Sequence, residues 1–121
     1  MKQTVAIIGA SDKPDRYAHK AAEMLESHGH QVVLVNPFKE SIEGERCLND
    51  VAEFEGPVDT VTVYVNAGRF QEHLTSILLK KPRRVIFNPG AEAPESYPAL
   101  EQNGVEVEEA CTLVLLNTGQ F

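Results

Sequence analysis

The stretch Val5-Ala6-Ile7-Ile8-Gly9-Ala10-Ser11-Asp12-Lys13-Pro14 decides how this chain is read. Four consecutive apolar residues fit a strand buried on both faces, and the Gly, Ser, Asp and Pro that follow are turn formers. Ala18, Ala21, Ala22 and Leu25 then recur at helical spacing, with Gly29 as a stop signal. The pattern is strand, sharp loop, helix. A loop of this kind brings free backbone N–H groups and the positive end of a helix dipole to one point, which suits a phosphate. The expectation is a nucleotide-type small ligand.

Working outward, four more apolar segments at residues 31–35, 58–65, 83–87 and 105–107 alternate with helical patterns, the signature of a parallel sheet covered on both faces. Residues 38–47, mixed in polarity and carrying Gly44, predict an irregular loop or short hairpin. Leu48, Val51 and Phe54 fit one or two helical turns. Phe70, Leu74, Ile77 and Leu78 mark a helix closed by Lys80-Lys81-Pro82, and Ser96 is placed to cap another that tolerates Pro98 and stops at Gly104. The apolar segment 110–116 predicts a short helix ending near Gly119.

At 121 residues the chain makes one domain, 1–121, with no room for a separate substrate domain. A formal charge of −7 argues against general nucleic-acid binding, which needs a basic face. The opening Met1-Lys2-Gln3-Thr4 runs straight into a strand without a signal peptide, and no apolar run reaches membrane-spanning length, so a cytoplasmic protein is expected. Cys47 and Cys111 have no metal spacing and are expected as reduced thiols.

Gly9-Ala10-Ser11, Asn36-Pro37, Asn66-Ala67-Gly68 and Asn88-Pro89-Gly90 each follow an apolar strand directly, so in a parallel sheet they share one edge. Ligands of open α/β sheets bind at that edge, where strand order reverses. A dinucleotide fingerprint would need three fixed glycines and an acid closing the second strand, whereas Gly9 stands alone and Asn36-Pro37 replaces the acid. A nucleoside triphosphatase loop would need Lys followed by Ser or Thr, and Lys13 precedes Pro14. A phosphoacceptor site would need carboxylates at the strand ends to hold a divalent metal, and these ends carry amides and glycines. No metal site is expected.

The combination of Val5-Ala6-Ile7-Ile8-Gly9-Ala10-Ser11, Pro14 with Arg16, Val35-Asn36-Pro37, Gly44, Asp59-Thr60-Val61, Asn88-Pro89-Gly90 and a late Cys111 resembles the small coenzyme-A-binding domain family, related to the coenzyme-binding half of the succinyl-CoA synthetase α subunit. The resemblance implies a Rossmann-like three-layer α/β fold, with a five-stranded, mainly parallel sheet and helices on both faces. With strand order 3-2-1-4-5, the reversal lies between the first and fourth strands. It also implies coenzyme A or an acyl-CoA as ligand. Gly9, Ala10 and Ser11 would meet the pyrophosphate, Asn36, Pro37 and Lys39 the adenosine part, Tyr64, Val65 and Asn66 the adenine side, and Asn88, Pro89 and Gly90 the pantetheine arm.

Lys13, Arg16, Lys39 and Arg69 fall in or just after these loops, where cations would grip phosphates. Lys80-Lys81-Pro82-Arg83-Arg84 lies at the opposite edge and reads as a solvated turn. His19 and His73 read as helix-surface residues, and Tyr17 and Tyr97 as packing. Cys111 reads as a buried thiol that could reach the coenzyme thiol. The leading expectation is a binding module without catalysis of its own. The alternatives are a small NAD(P)-binding oxidoreductase, an acyl-CoA enzyme component that needs a partner chain, or a protein–protein module whose tail at 113–116 supports a homodimer.

Overall fold

The computed structural model describes residues 2–121. Its sheet is built from β1 (Thr4–Ile8), β2 (Gln31–Val35), β3 (Ser41–Ile42), β4 (Glu45–Leu48), β5 (Thr60–Val63), β6 (Arg84–Phe87) and β7 (Glu106–Glu109). The helices are α1 (Tyr17–Ser27), α2 (Ala67–Lys80), α3 (Tyr97–Gln102) and α4 (Thr112–Asn117), with single 3-10 turns at Val51–Glu53 and Pro94–Ser96. The strands lie in the order β3-β4-β2-β1-β5-β6-β7, all parallel except β3.

The layered α/β architecture is as expected, with seven strands instead of five. The two additional strands form a hairpin in the segment expected as loop or hairpin, turning at Glu43 and Gly44, whose φ values are +51° and +81°. Such a two-residue turn matches the twist of paired strands. The hairpin corrects the expected strand order. Cys47 and Leu48 pair with Leu34 and Val35, so β4 occupies the position beyond β2. The apolar segment after it returns to pair directly with β1, Val5 opposite Thr60 and Ile8 opposite Val63. The reversal therefore lies between β1 and β5. The strand's short apolar content hid it: of its four residues, Glu45 and Arg46 are exposed.

Alternation along β1 sorts the core into two layers. Ala6 and Ile8 face Phe70 and Ile77 of α2 and Leu100 of α3, while Val5 and Ile7 face Ala18 and Leu25 of α1 and Leu116 of α4. On the α2 side, Phe70, Phe87 and Tyr97 stack with ring centroids 4.9 and 4.8 Å apart, so Tyr97 packs as expected. Ser96 does occupy the position before α3, but its Oγ accepts a hydrogen bond from Gln71 and caps nothing.

The α4 side carries a buried polar stripe. Asn88, 2% exposed, donates from Nδ2 to Thr62 Oγ1 (2.7 Å) and to the Val63 carbonyl (2.9 Å), and its Oδ1 accepts from the Thr112 N–H (2.8 Å). Thr62 and Thr112 share a hydrogen bond of 2.7 Å between their hydroxyls. Because Cys111 at the N-cap of α4 makes no side-chain cap, Asn88 satisfies the first helical N–H from another strand. Lower on the same face Arg84, 4% exposed, donates to Thr60 and Glu108. Lys80 reaches the carbonyls of Phe54 and Gly56 at 2.6 and 2.7 Å. The basic run is thus partly structural rather than only a solvated turn, because its first and last members find acceptors inside the fold.

Two predictions follow from this packing. Asn88→Ala leaves the Thr112 N–H without its acceptor and removes both donated bonds, so denaturant melts should show a loss of about 2–3 kcal/mol. Burial lowers the pKa of His30 and His73 below the ordinary 6.5, and His30 Nδ1 accepts from the Gln3 N–H, which requires an unprotonated nitrogen. The unfolded chain therefore binds protons that the folded chain refuses. Stability should fall as pH drops through and below 6.5, and melting curves of His30→Asn should show a shallower acid slope.

Candidate functional site

Three loops enclose a crevice of about 470 Å³ at the C-terminal edge of the sheet, directly above the reversal between β1 and β5. The first loop contributes Gly9, Ala10, Ser11, Lys13 and Arg16; the second, after β2, gives Asn36 and Lys39; the third, after β5, gives Tyr64, Val65 and Asn66. Pro89 and Gly90 reach the rim from one strand farther out. Asp12, Tyr17, Ala18 and Ala91 complete the wall. Tyr17 is 66% exposed there, not packed in the core, because it opens α1 on the side facing solvent.

Pro14, Pro37, Asn88 and Cys111 do not line this crevice. The Asn88 side chain is turned under the sheet and spent on α4, so only the backbone beyond it reaches the rim. Pro37 lines a smaller adjoining recess. Cys111 sits half-buried at the start of α4, and Cys47 is buried beneath the hairpin, where burial pushes its thiol pKa up.

Gly9 adopts a φ of +93°, and a Cβ there would stand 2.8 Å from Val65 Cγ1 and 3.2 Å from the Tyr64 carbonyl. Glycine lets the first and third loops touch. The amides at this point are not the free ones expected from the sequence: the N–H groups of Gly9 and Ala10 both donate to the Val35 carbonyl, at 2.9 and 3.1 Å. They continue the sheet ladder for one more step. The available donors lie farther along, since the N–H groups of Ser11, Asp12, Tyr17 and Ala18 take no partner among the described residues and Arg16 provides no side-chain cap to α1. An eleven-residue helix thus opens uncapped onto the crevice, with its dipole's positive end forward.

Asn36 ties two loops together, its Nδ2 donating to the Ala10 carbonyl at 2.8 Å while its Oδ1 accepts from the Phe38 N–H at 2.9 Å. Asp12 and Lys39 form an ion pair of 3.4 Å across the mouth. The cations Lys13, Arg16 and Lys39 outnumber the single carboxylate of Asp12, making the crevice locally positive on a chain of net charge −7. The Tyr64 phenol, pushed up to about 12 chiefly by burial, remains protonated at any physiological pH. No grouping of side chains among the described residues could hold a metal ion, and no helix is long and apolar enough to cross a membrane.

Two histidines read as surface from sequence are buried. His19, 4% exposed, lies 2.6 Å from Glu43 at the hairpin turn, and His73 of α2 is 5% exposed. His73 had a signal: it falls three residues after Phe70 and four before Ile77, on the apolar stripe itself.

A model of the CoA binding domain matches residues 3–117. The chain is 32% identical over 104 residues to the uncharacterized protein YneT of Bacillus subtilis, covering 83% of this chain and 74% of that one. Among solved structures, an uncharacterized protein 42% identical superposes with a TM-score of 0.92 over 100% of this chain and 99% of that one. The dinucleotide-forming acetyl-coenzyme A synthetase 1 of Ca. Korarchaeum cryptofilum, at 19% identity, shares the fold with a TM-score of 0.75 over 89% of this chain and 25% of its own. With its motifs, its sheet and a match running almost end to end, the chain belongs to the CoA-binding domain family.

Proposed function

We propose that this protein is a binding module that holds coenzyme A or an acyl derivative in the crevice above β1 and β5, without catalysis of its own. The observation that carries the reading is the uncapped N-terminus of α1 facing a crevice with three cations. The exposed amides and dipole suit a pyrophosphate, and Lys13, Arg16 and Lys39 supply the charge that a polyanion needs on an acidic protein. The volume of about 470 Å³ lies within the usual range of small-molecule sites.

Coenzyme A fits the residues present better than a dinucleotide does. Asn36 replaces the acid that would hold ribose hydroxyls, and its side chain is already committed to Ala10 and Phe38. Cys111 does not line the crevice, so the proposal includes no contact between it and the coenzyme thiol.

Thermal melts with coenzyme A, acetyl-CoA, NAD, NADP and ATP test the reading. A selective ligand at a hundredfold excess over its Kd should stabilise the fold by about 2.7 kcal/mol. Selective stabilisation by coenzyme A or acetyl-CoA is the expected result; stabilisation by NAD alone would overturn it. Gly9 is a poor probe because a side chain there strikes Val65 whether or not ligand is present. Arg16→Glu and Lys39→Glu change exposed or half-exposed side chains, and each should weaken coenzyme A by roughly 10- to 100-fold with little change in the ligand-free melting temperature.

A further inference from the structure

The ladder between β2 and β4 is cut short. On one side of β2 the backbone groups of Gln31 and Val35 bond toward β1, so by alternation those of Val32, Leu34 and Asn36 face β4. Pairing with β4 begins only at Leu34, opposite Cys47, whereas Glu45 and Arg46 pair with Ile42 and Ser41 of the hairpin and not with β2. The N–H and C=O of Val32 therefore have no strand opposite them. Grooves open on both faces of the sheet at this gap, one of about 290 Å³ between α1 and the hairpin and one of about 410 Å³ beside the 3-10 turn at Val51–Glu53. Val32, Leu34 and Arg46 line both, so the grooves meet across the bare stretch of β2.

The two grooves differ in chemistry. The one beside α1 carries Glu23, Glu26, Glu43 and Glu45; the other is floored by Val33, Leu48 and Phe54, with Glu53 and Glu55 at its side. All six glutamates are exposed, and none forms an ion pair with a lysine or arginine among the described residues. Arg46 is the one lysine or arginine in either lining. In the first groove His19, 4% exposed, donates from Nε2 to Glu43 at 2.6 Å, since a carboxylate only accepts. Its Nδ1 has no hydrogen-bond partner, with Glu23 standing off at 3.5 Å, and a buried polar atom left in this way calls for an explanation. In the neutral ring that nitrogen is an acceptor beside a carboxylate, a pair suited to a cationic N–H donor.

From this juxtaposition we infer that the gap is a docking site for an extended basic peptide, which adds a short strand to the bare edge of β2. Side chains of a strand point alternately to opposite faces. Lysines or arginines at every second position therefore enter the groove of Glu23, Glu26, Glu43 and Glu45, one of them ending at His19 and Glu23, while apolar residues between them cover Phe54. Main-chain hydrogen bonds to Val32 hold any extended segment, and the alternation of charge with apolar bulk makes the site selective. Six carboxylates against one guanidinium favour a basic partner, and a second copy of this chain, at net charge −7, would bring like charge to the same place. Nothing in this docking depends on which ligand fills the crevice.

Fluorescence anisotropy with the full chain and short labelled peptides tests the docking. The probe alternates lysine with valine; one control carries the same residues in blocks, and another has glutamate for every lysine. The alternating peptide should bind about 10-fold or more tightly than either control. Glu23→Lys with Glu45→Lys, both exposed, should weaken it by about 10-fold or more. Glu101→Lys with Glu106→Lys, which shifts the net charge equally on α3 and β7 at the far edge of the sheet, should leave it unchanged. Methylating one alternate set of the peptide's amide nitrogens should abolish binding, and methylating the other set should not. An alternating peptide that fails to bind overturns the inference. Equal affinity for alternating and blocked peptides, or equal loss in the two double variants, reduces the contact to general charge attraction and also overturns it. So does tolerance of both methylated sets, or a concentration-dependent dimer in sedimentation that Glu23→Lys with Glu45→Lys abolishes.

Discussion

The structure depends on a contact that tolerates no side chain. At residue 9 a Cβ would press into Val65 and the Tyr64 carbonyl, so the loops leaving β1 and β5 can approach only because that residue is glycine with a positive φ. Their approach sets the geometry of everything above the sheet. With the two loops in contact, the chain departs toward α1 on one face and α2 on the other, and the crevice opens between them. The Val35 carbonyl fixes the first loop by accepting from both Gly9 and Ala10. Asn36 then binds the second loop to the first through Ala10. Hydrogen bonds and close packing thus tie the first loop to the other two.

This arrangement divides labour along the chain. The residues nearest the strand end hold the loops together, and those a few positions on face the ligand. Gly9, Ala10 and Asn36 belong to the first group, Lys13, Arg16 and Lys39 to the second. Asn88 shows the same division just after β6, its side chain anchoring α4 while Pro89 and Gly90 reach the rim. The corners at the edge of this sheet therefore carry two kinds of information, about folding and about binding.

Much of this was legible in the sequence because it was local. Apolar runs followed by Gly, Asn and Pro marked the strands and the edge where their loops gather, and the spacing of Ala18, Ala21, Ala22 and Leu25 marked α1. What escaped depended on partners distant in the chain. β4 pairs with β2 through only Cys47 and Leu48, too little apolar sequence to announce a strand, yet it takes the place beside β2 and leaves β5 to pair with β1. The local pattern cannot show that the Gly9 and Ala10 amides are taken, because their acceptor, Val35, lies about 26 residues away on another strand. His19 is buried by a glutamate on the hairpin, a pairing that neither segment reveals alone. Arg84 sits in a run of four cations that reads as solvated until Thr60 and Glu108 arrive beside it.

The edge strand β7 carries Glu106, Glu108 and Glu109 in its four residues, and the opposite edge, β3, is only two residues long. Open strand edges are templates for lateral growth of a sheet, and natural chains blunt them with charge or brevity. Two molecules meeting along β7 would bring carboxylates together, while β3 presents too short a ladder to hold a neighbour. Each edge thus carries a feature that opposes lateral pairing, charge on β7 and brevity on β3.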